Sequence, residues 1–115
     1  MIITPTTVNQ LDIIGAHNLD RIKVLWEDVE PGKGYLTIIC WGRAWTAYWG
    51  GMGGEVRQFV PTCNAGYIVE NLVRNMAPRL VRNKKREEAY LERIVVVVQE
   101  ALRLHLRQEL HGAAA

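Results

Sequence analysis

The chain contains no serine, so a Ser-His-Asp arrangement is excluded outright. Cysteine is scarce too, with only Cys40 and Cys63, and neither Cys-x-x-Cys nor His-Glu-x-x-His occurs to begin a zinc site. Long apolar runs are missing. The longest purely aliphatic stretch, Ile94 to Val98, covers five residues, against the 18 or more that a membrane span needs. The opening Met1-Ile2-Ile3-Thr4-Pro5 has neither the basic nor the long apolar region of an export signal. A cytoplasmic protein is therefore expected, with no membrane partner and both cysteines as reduced, buried thiols. Charge of one sign is also lacking: 14 Lys and Arg oppose 12 Asp and Glu, a formal net charge of +2. That is too little to demand a nucleic-acid partner.

What is present is one domain's worth of apolar residues, 49% of 115, enough to build a core. The pattern predicts a single α+β domain: a three-stranded antiparallel meander followed by two or three helices, the last one long. Residues 1–21 read as an N-terminal turn and helix segment, because Thr7-Val8-Asn9-Gln10 has capping-box spacing; one helical turn is expected over Thr7 to Ile13, and loop from Gly15 to Asp20. From Ile22 the period changes to two. Strands are expected from Ile22 to about Val29, over Tyr35 to Trp41, and over Ala44 to Trp49.

Turn residues set the expected register. Glu30-Pro31-Gly32-Lys33-Gly34 reads as a five-residue loop that pairs Val29 with Tyr35, Trp26 with Ile38 and Val24 with Cys40. Gly42-Arg43 reads as a type II′ hairpin turn pairing Trp41 with Ala44, Cys40 with Trp45, Ile38 with Ala47 and Leu36 with Trp49. Both turns place Trp26, Ile38, Cys40, Trp45, Ala47 and Trp49 on one apolar face. Trp41 and Tyr48 fall on the other face with Tyr35, Thr37, Ile39 and Thr46, an amphipathic surface suited to a protein interface or to base stacking unless a helix covers it.

The glycine-rich Gly50-Gly51-Met52-Gly53-Gly54 lacks the Lys and hydroxyl offsets of a phosphate cradle, and Glu55 stands where an anion would sit, so it reads as a flexible exit from the sheet. Short helices are expected over 55–76. A turn or two begins at Glu55 and is stopped by Pro61; a clearer helix, capped by Asn64 and closed by Pro78, carries Ala65, Ile68, Val69, Leu72, Val73 and Met76 on one stripe. Residues 83–110 form the strongest helix signal, and 111–115 read as a disordered tail. That long helix is apolar over more than half its circumference. Its residues Leu91, Ile94, Val95, Val97, Val98 and Leu102 are the expected interface of a homodimer, since one short sheet covers only one side.

No reaction is specified by any motif. Cys63 would need a histidine from His17, His105 or His111, none in a catalytic setting, and His105 with Glu109 supplies only two ligands. The expectation is a protein that is not an enzyme, with no catalytic, metal or cofactor-binding residues and no cofactor. Three cations of the basic cluster Arg79, Arg82, Lys84, Lys85 and Arg86 occupy the first turn of the long helix, where the dipole disfavours positive charge by about 0.3 to 1 kcal/mol each. Either Glu87 and Glu88 offset the repulsion on a solvated face, or the cluster meets phosphates or an acidic surface. The first account is favoured because no groove-reading motif accompanies the cluster.

Thr7-Val8-Asn9-Gln10-Leu11-Asp12, Pro31-Gly32-Lys33-Gly34, Ala44-Trp45-Thr46-Ala47-Tyr48-Trp49-Gly50-Gly51-Met52-Gly53 and Asn64-Ala65-Gly66-Tyr67 together resemble small uncharacterised proteins of temperate bacteriophages and prophages. Tyr-Trp-Gly-Gly-Met-Gly is the most specific segment, and the likeness covers about the first two thirds of the chain. The likeness implies a phage origin and no particular mechanism; since small accessory phage proteins often bind host machinery, a non-enzymatic accessory protein that binds a host or phage macromolecule is expected, such as a counter-defence, anti-CRISPR-like inhibitor. The alternative is a nucleic-acid-binding accessory or regulatory protein using the basic residues of 79–86. Trp41 and Tyr48 join that cluster as candidate binding residues.

Overall fold

Alternation of apolar and polar residues makes Ile22–Glu30 a strand with one buried face, and the computed structural model, which describes residues 1–76 and 82–114, places this strand inside a four-stranded antiparallel sheet. Its strands are β1 (Asn9–Ile13), β2 (Ile22–Glu30), β3 (Lys33–Cys40) and β4 (Arg43–Trp49), in sequential order. The first corrects the sequence reading. Asn9 to Ile13 is an edge strand pairing Leu11 with Val24 and Ile13 with Ile22, so the segment expected to be a helical turn adds a fourth strand. The capping-box spacing had no apolar helical stripe behind it, and two half-buried residues, Leu11 and Ile13, pack on the core at a period of two.

Both hairpins keep the expected face and shift the expected partners by two residues. Trp26 lies opposite Leu36, and Val24 opposite Ile38; Ile38 lies opposite Trp45, and Leu36 opposite Ala47. In the first hairpin the chain turns on Pro31-Gly32, with Gly32 at φ +79°, and Val29 is a bulge between the Asp28–Gly34 and Glu30–Lys33 pairs. A bulge adds one residue to one strand, which restores the parity that a five-residue loop was expected to supply. In the second hairpin the turn is Trp41-Gly42 rather than Gly42-Arg43. Both residues have positive φ, 54° and 74°, the signature of a type I′ turn.

The buried face consists of Ile22, Val24, Trp26, Leu36, Ile38, Cys40, Trp45, Ala47 and Trp49. Three helices pack on it among the described residues: α1 (Val56–Phe59), which runs into a 3-10 turn at Val60–Thr62, α2 (Ala65–Arg74) and α3 (Lys84–Ala114). Pro61 sits inside that 3-10 turn instead of ending the segment. Asn64 caps α2 by accepting from the Gly66 amide at 2.8 Å, and its Ile68, Val69 and Leu72 are buried. Pro78 lies outside the described residues.

Helix α3 crosses the sheet diagonally. Near its start Tyr90 lies against Trp45, ring centroids 6.2 Å apart, and 15 residues later His105 meets Trp26 edge-on at 6.0 Å. Its other flank is covered by the same chain: buried Gln99 donates to the carbonyls of Val60 and Cys63, and Arg103 donates to that of Pro61. Leu91, Ile94, Val95, Val98 and Leu102 are fully buried and Val97 half-buried. These six residues, expected to form a dimer interface, are instead the core between sheet, helices and 3-10 turn. The helix lies in a trough with two walls, the sheet on one side and the 3-10 turn on the other.

The glycine-rich loop has a packing role. The Met52 amide donates to the Gly32 carbonyl at 2.7 Å, and Met52 is buried. A Cβ on Gly34 would stand 2.4 Å from Val56 Cγ2 and 2.7 Å from the Glu27 carbonyl, whereas one on Gly51 would meet nothing within 4 Å. Gly34→Ala is expected to cost about 1–3 kcal/mol, the usual penalty of overpacking, and Gly51→Ala less than about 0.5 kcal/mol. Urea denaturation of both variants checks this contrast, which equal midpoints would refute.

Candidate functional site

Two surfaces among the described residues bear on the candidate binding residues. The first is the end of the domain where the β3–β4 turn meets the start of α3. Trp41 occupies the turn with 76% of its surface exposed. A bulky side chain in the left-handed region costs on the order of 1–2 kcal/mol, and this one also leaves a large ring in water. Local backbone preference and burial both oppose tryptophan here. Such violations cluster at functional sites, which makes Trp41 a candidate.

Beside the turn, Arg43 stacks over the Trp45 ring at 5.0 Å and forms an ion pair with Glu87. The Trp45 indole N–H donates to the same carboxylate at 3.1 Å. Glu87 is thereby drawn onto the sheet, its side chain 11% exposed. It serves β4 rather than the cations of its own helix, which undercuts the offsetting role expected of it. Asn83 caps α3, its Oδ1 accepting from the Arg86 amide at 3.0 Å. Arg82, Lys84, Lys85 and Arg86 are all exposed. Lys84 approaches Glu88 at 3.8 Å, and among the described residues no carboxylate lies within ion-pair distance of Arg82, Lys85 or Arg86. Gly42, Arg43, Arg82 and Arg86 line one open cleft together with Glu87, whose carboxylate is engaged by Arg43 and Trp45. Lys85 faces a neighbouring depression together with Glu70, Glu88 and Glu92, so the positive surface is compact and bounded by acid.

Of the sequence-derived binding residues, the structure thus brings Arg82 and Arg86 to the cleft lined by Gly42, the residue after Trp41, with Lys84 and Lys85 on the adjoining exposed turn of α3. Arg79 lies outside the described residues. Tyr48 does not join them: it sits at the far end of β4, 46% exposed, with its ring centroid 4.8 Å from that of Tyr35. Arg43 was missed because Gly42-Arg43 was read as the turn; the Trp-Gly pair after an alternating strand was the available signal.

The second surface is the sheet face opposite the core. No helix covers it among the described residues. It carries Tyr35 and Tyr48, the hydrogen-bonded hydroxyls of Thr37 and Thr46 at 3.1 Å, and the half-buried Leu25 and Ile39.

The thiols are placed apart from either surface. Cys40 is fully buried, with its Sγ 3.6 Å from the Tyr90 hydroxyl. Burial, with that thiol contact adding to it, pushes the Tyr90 phenol up to about 12. Cys63 is half-buried rather than buried, and burial raises its thiol further above neutrality, away from the thiolate that nucleophilic chemistry needs. Among the described residues no three His, Cys, Asp or Glu side chains gather as metal ligands, and no helix is long and apolar enough to cross a membrane.

The family model named Phage_phiTE_072, described as a phage family, matches residues 1–85. The chain belongs to this phage family. The matched span contains the whole sheet, the Trp41 turn, α1 and α2, and ends in the first turn of α3, after Lys85 and before Arg86 and Glu87. Comparison with curated proteins and with solved structures found no match.

Two measurements follow. Asparagine tolerates the left-handed region and favours type I′ turns, so Trp41→Asn is expected to stabilise the fold by about 1 kcal/mol. A lower unfolding midpoint would show that the ring packs on the domain. Tyr90 binds its proton more tightly folded than unfolded, so its contribution to stability is complete below pH 10 and is lost as pH rises toward 12. Ultraviolet titration of the folded protein is expected to show one of the four tyrosines ionising last, and Tyr90→Phe to remove that step.

Proposed function

We propose that this phage protein is a non-enzymatic accessory protein of the host cytoplasm that docks on an acidic patch of a host or phage protein. Trp41 is the anchor, and Arg43, Arg82 and Arg86 line the cleft that begins at its turn neighbour Gly42. The observation that carries the reading is Trp41 itself, exposed and in a conformation that suits another residue better, at the end of the domain where Arg82 and Arg86 have no ion-pair partner among the described residues. Tryptophan and arginine are the residues that dominate interface energetics.

A protein target fits better than a nucleic acid because the positive surface is short. Phosphate backbones reward a track of cations, and here Glu70, Glu88 and Glu92 close off the flank beyond Lys85. The nucleic-acid reading keeps one point in its favour, since an exposed indole beside arginines also stacks on bases. A counter-defence inhibitor acting on a host complex is the form of the proposal to test first.

The test is affinity capture from a phage-host lysate with the wild-type chain, Trp41→Asn and the double variant Arg82→Glu/Arg86→Glu. A partner protein that survives nuclease treatment and loses about thirtyfold in affinity with Trp41→Asn, the loss of a hot spot worth about 2 kcal/mol, supports the reading. Capture that disappears on nuclease treatment and falls steeply with salt would transfer the function to nucleic-acid binding.

A further inference from the structure

The open sheet face carries three rows of side chains running across the strands. Cross-strand pairing aligns Asp12, Lys23, Ile39 and Ala44 in one row, Gln10, Leu25, Thr37 and Thr46 in the next, and Glu27, Tyr35 and Tyr48 in the third. The outer rows are complementary to each other. Lys23 in one corresponds to Glu27 in the other, Ile39 to Tyr35, and the small Ala44 to the large Tyr48.

We propose that this face pairs with the same face of a second copy, about a two-fold axis running along the middle row. That operation lays β2 on β2 and β3 on β3 of the second copy in antiparallel order, with the middle row on the axis. It sets Lys23 of each copy over Glu27 of the other, Ile39 over Tyr35, and the Tyr48 ring over the space above Ala44. Self-complementarity of this kind is what an isologous interface requires. Two sheets packed face to face lie about 10 Å apart with their strands about 30° off alignment, a gap that lysine and glutamate side chains reach across.

Charge supports a second copy over other occupants. Asp12 is already paired with Arg21 at 3.1 Å in its own chain, and among the described residues neither Lys23 nor Glu27 has an ion-pair partner. They lie four residues apart on one strand, symmetric about Leu25, so one two-fold operation satisfies both. The exposed Tyr35, Tyr48 and Val8 are then covered as well. This pairing is independent of the docking site at Trp41, which lies at the end of the sheet.

Sedimentation equilibrium from 1 to 200 micromolar tests the proposal. A species of twice 13.1 kDa is expected. Lys23→Glu alone and Glu27→Lys alone each set like charges against each other, and each is expected to weaken dimerisation at least tenfold. The double variant Lys23→Glu/Glu27→Lys restores opposite charges at both positions and is expected to return to within threefold of wild type. A mass of 13.1 kDa throughout the range, a dimer indifferent to the single variants, or a double variant no better than the singles would overturn it. Circular dichroism of each variant verifies the fold, and Trp41→Asn is expected to leave the mass unchanged, which separates this interface from the proposed docking end.

Discussion

The carboxylate of Glu87 decides where the long helix lies. It receives the Arg43 guanidinium and the Trp45 indole N–H, both from β4, while Arg43 stacks on the Trp45 ring. A largely buried charge with two donors is expensive to unmake, because removing one partner strands the other. The first turn of α3 is therefore held at the β3–β4 corner, and Tyr90, one turn on, is set against Cys40 and Trp45. From that fixed start the helix runs diagonally to Trp26, burying Leu91, Ile94, Val95, Val98 and Leu102 on the way. The same interaction has a consequence at the surface. With Glu87 turned inward, the cations around it lose the neighbour that sequence spacing had given them.

How much of this was legible depended on what each signal constrained. Period-two alternation constrains faces, and every residue expected on the buried face is there. It does not constrain partners, because a shift of two residues preserves parity. Both hairpins are shifted by two, one through the Val29 bulge and one because the turn begins at Trp41. The edge strand β1 was misread for a related reason. Asn9-Gln10-Leu11-Asp12-Ile13 is polar on its outer face and short, as edge strands are, and local capping spacing looked stronger than two half-buried aliphatics.

The long helix exposed a different limit. Counting its apolar positions correctly showed that two layers must cover it, but the second layer was assigned to another chain. Gln99 and Arg103 reach the carbonyls of Val60, Pro61 and Cys63, so the 3-10 turn forms that second wall. Nothing in the sequence of a three-residue turn announces that it will pack on a helix some 40 residues later. The glycine loop was similarly opaque: its role comes from the close approach of Met52 to Gly32 and of Val56 to Gly34, and those contacts exist only once the hairpin has formed.

Trp41 combines two departures from what the surrounding structure favours. In several places the chain obeys its own propensities: Pro31-Gly32 where a turn needs them, Asn64 and Asn83 at helix starts, aliphatics where the sheet is covered. At Trp41 the chain accepts backbone strain and an exposed ring together, though asparagine would relieve both. The open sheet face differs in kind. Its residues keep ordinary strand geometry, none with positive φ; what they lack is a cover. A strained single residue is suited to gripping one foreign surface, whereas a regular, charge-balanced face is suited to meeting its own image. Two copies joined on that face with strands antiparallel would carry their Trp41 turns at opposite ends. The two surfaces are thus compatible, and a dimer would offer the docking site twice.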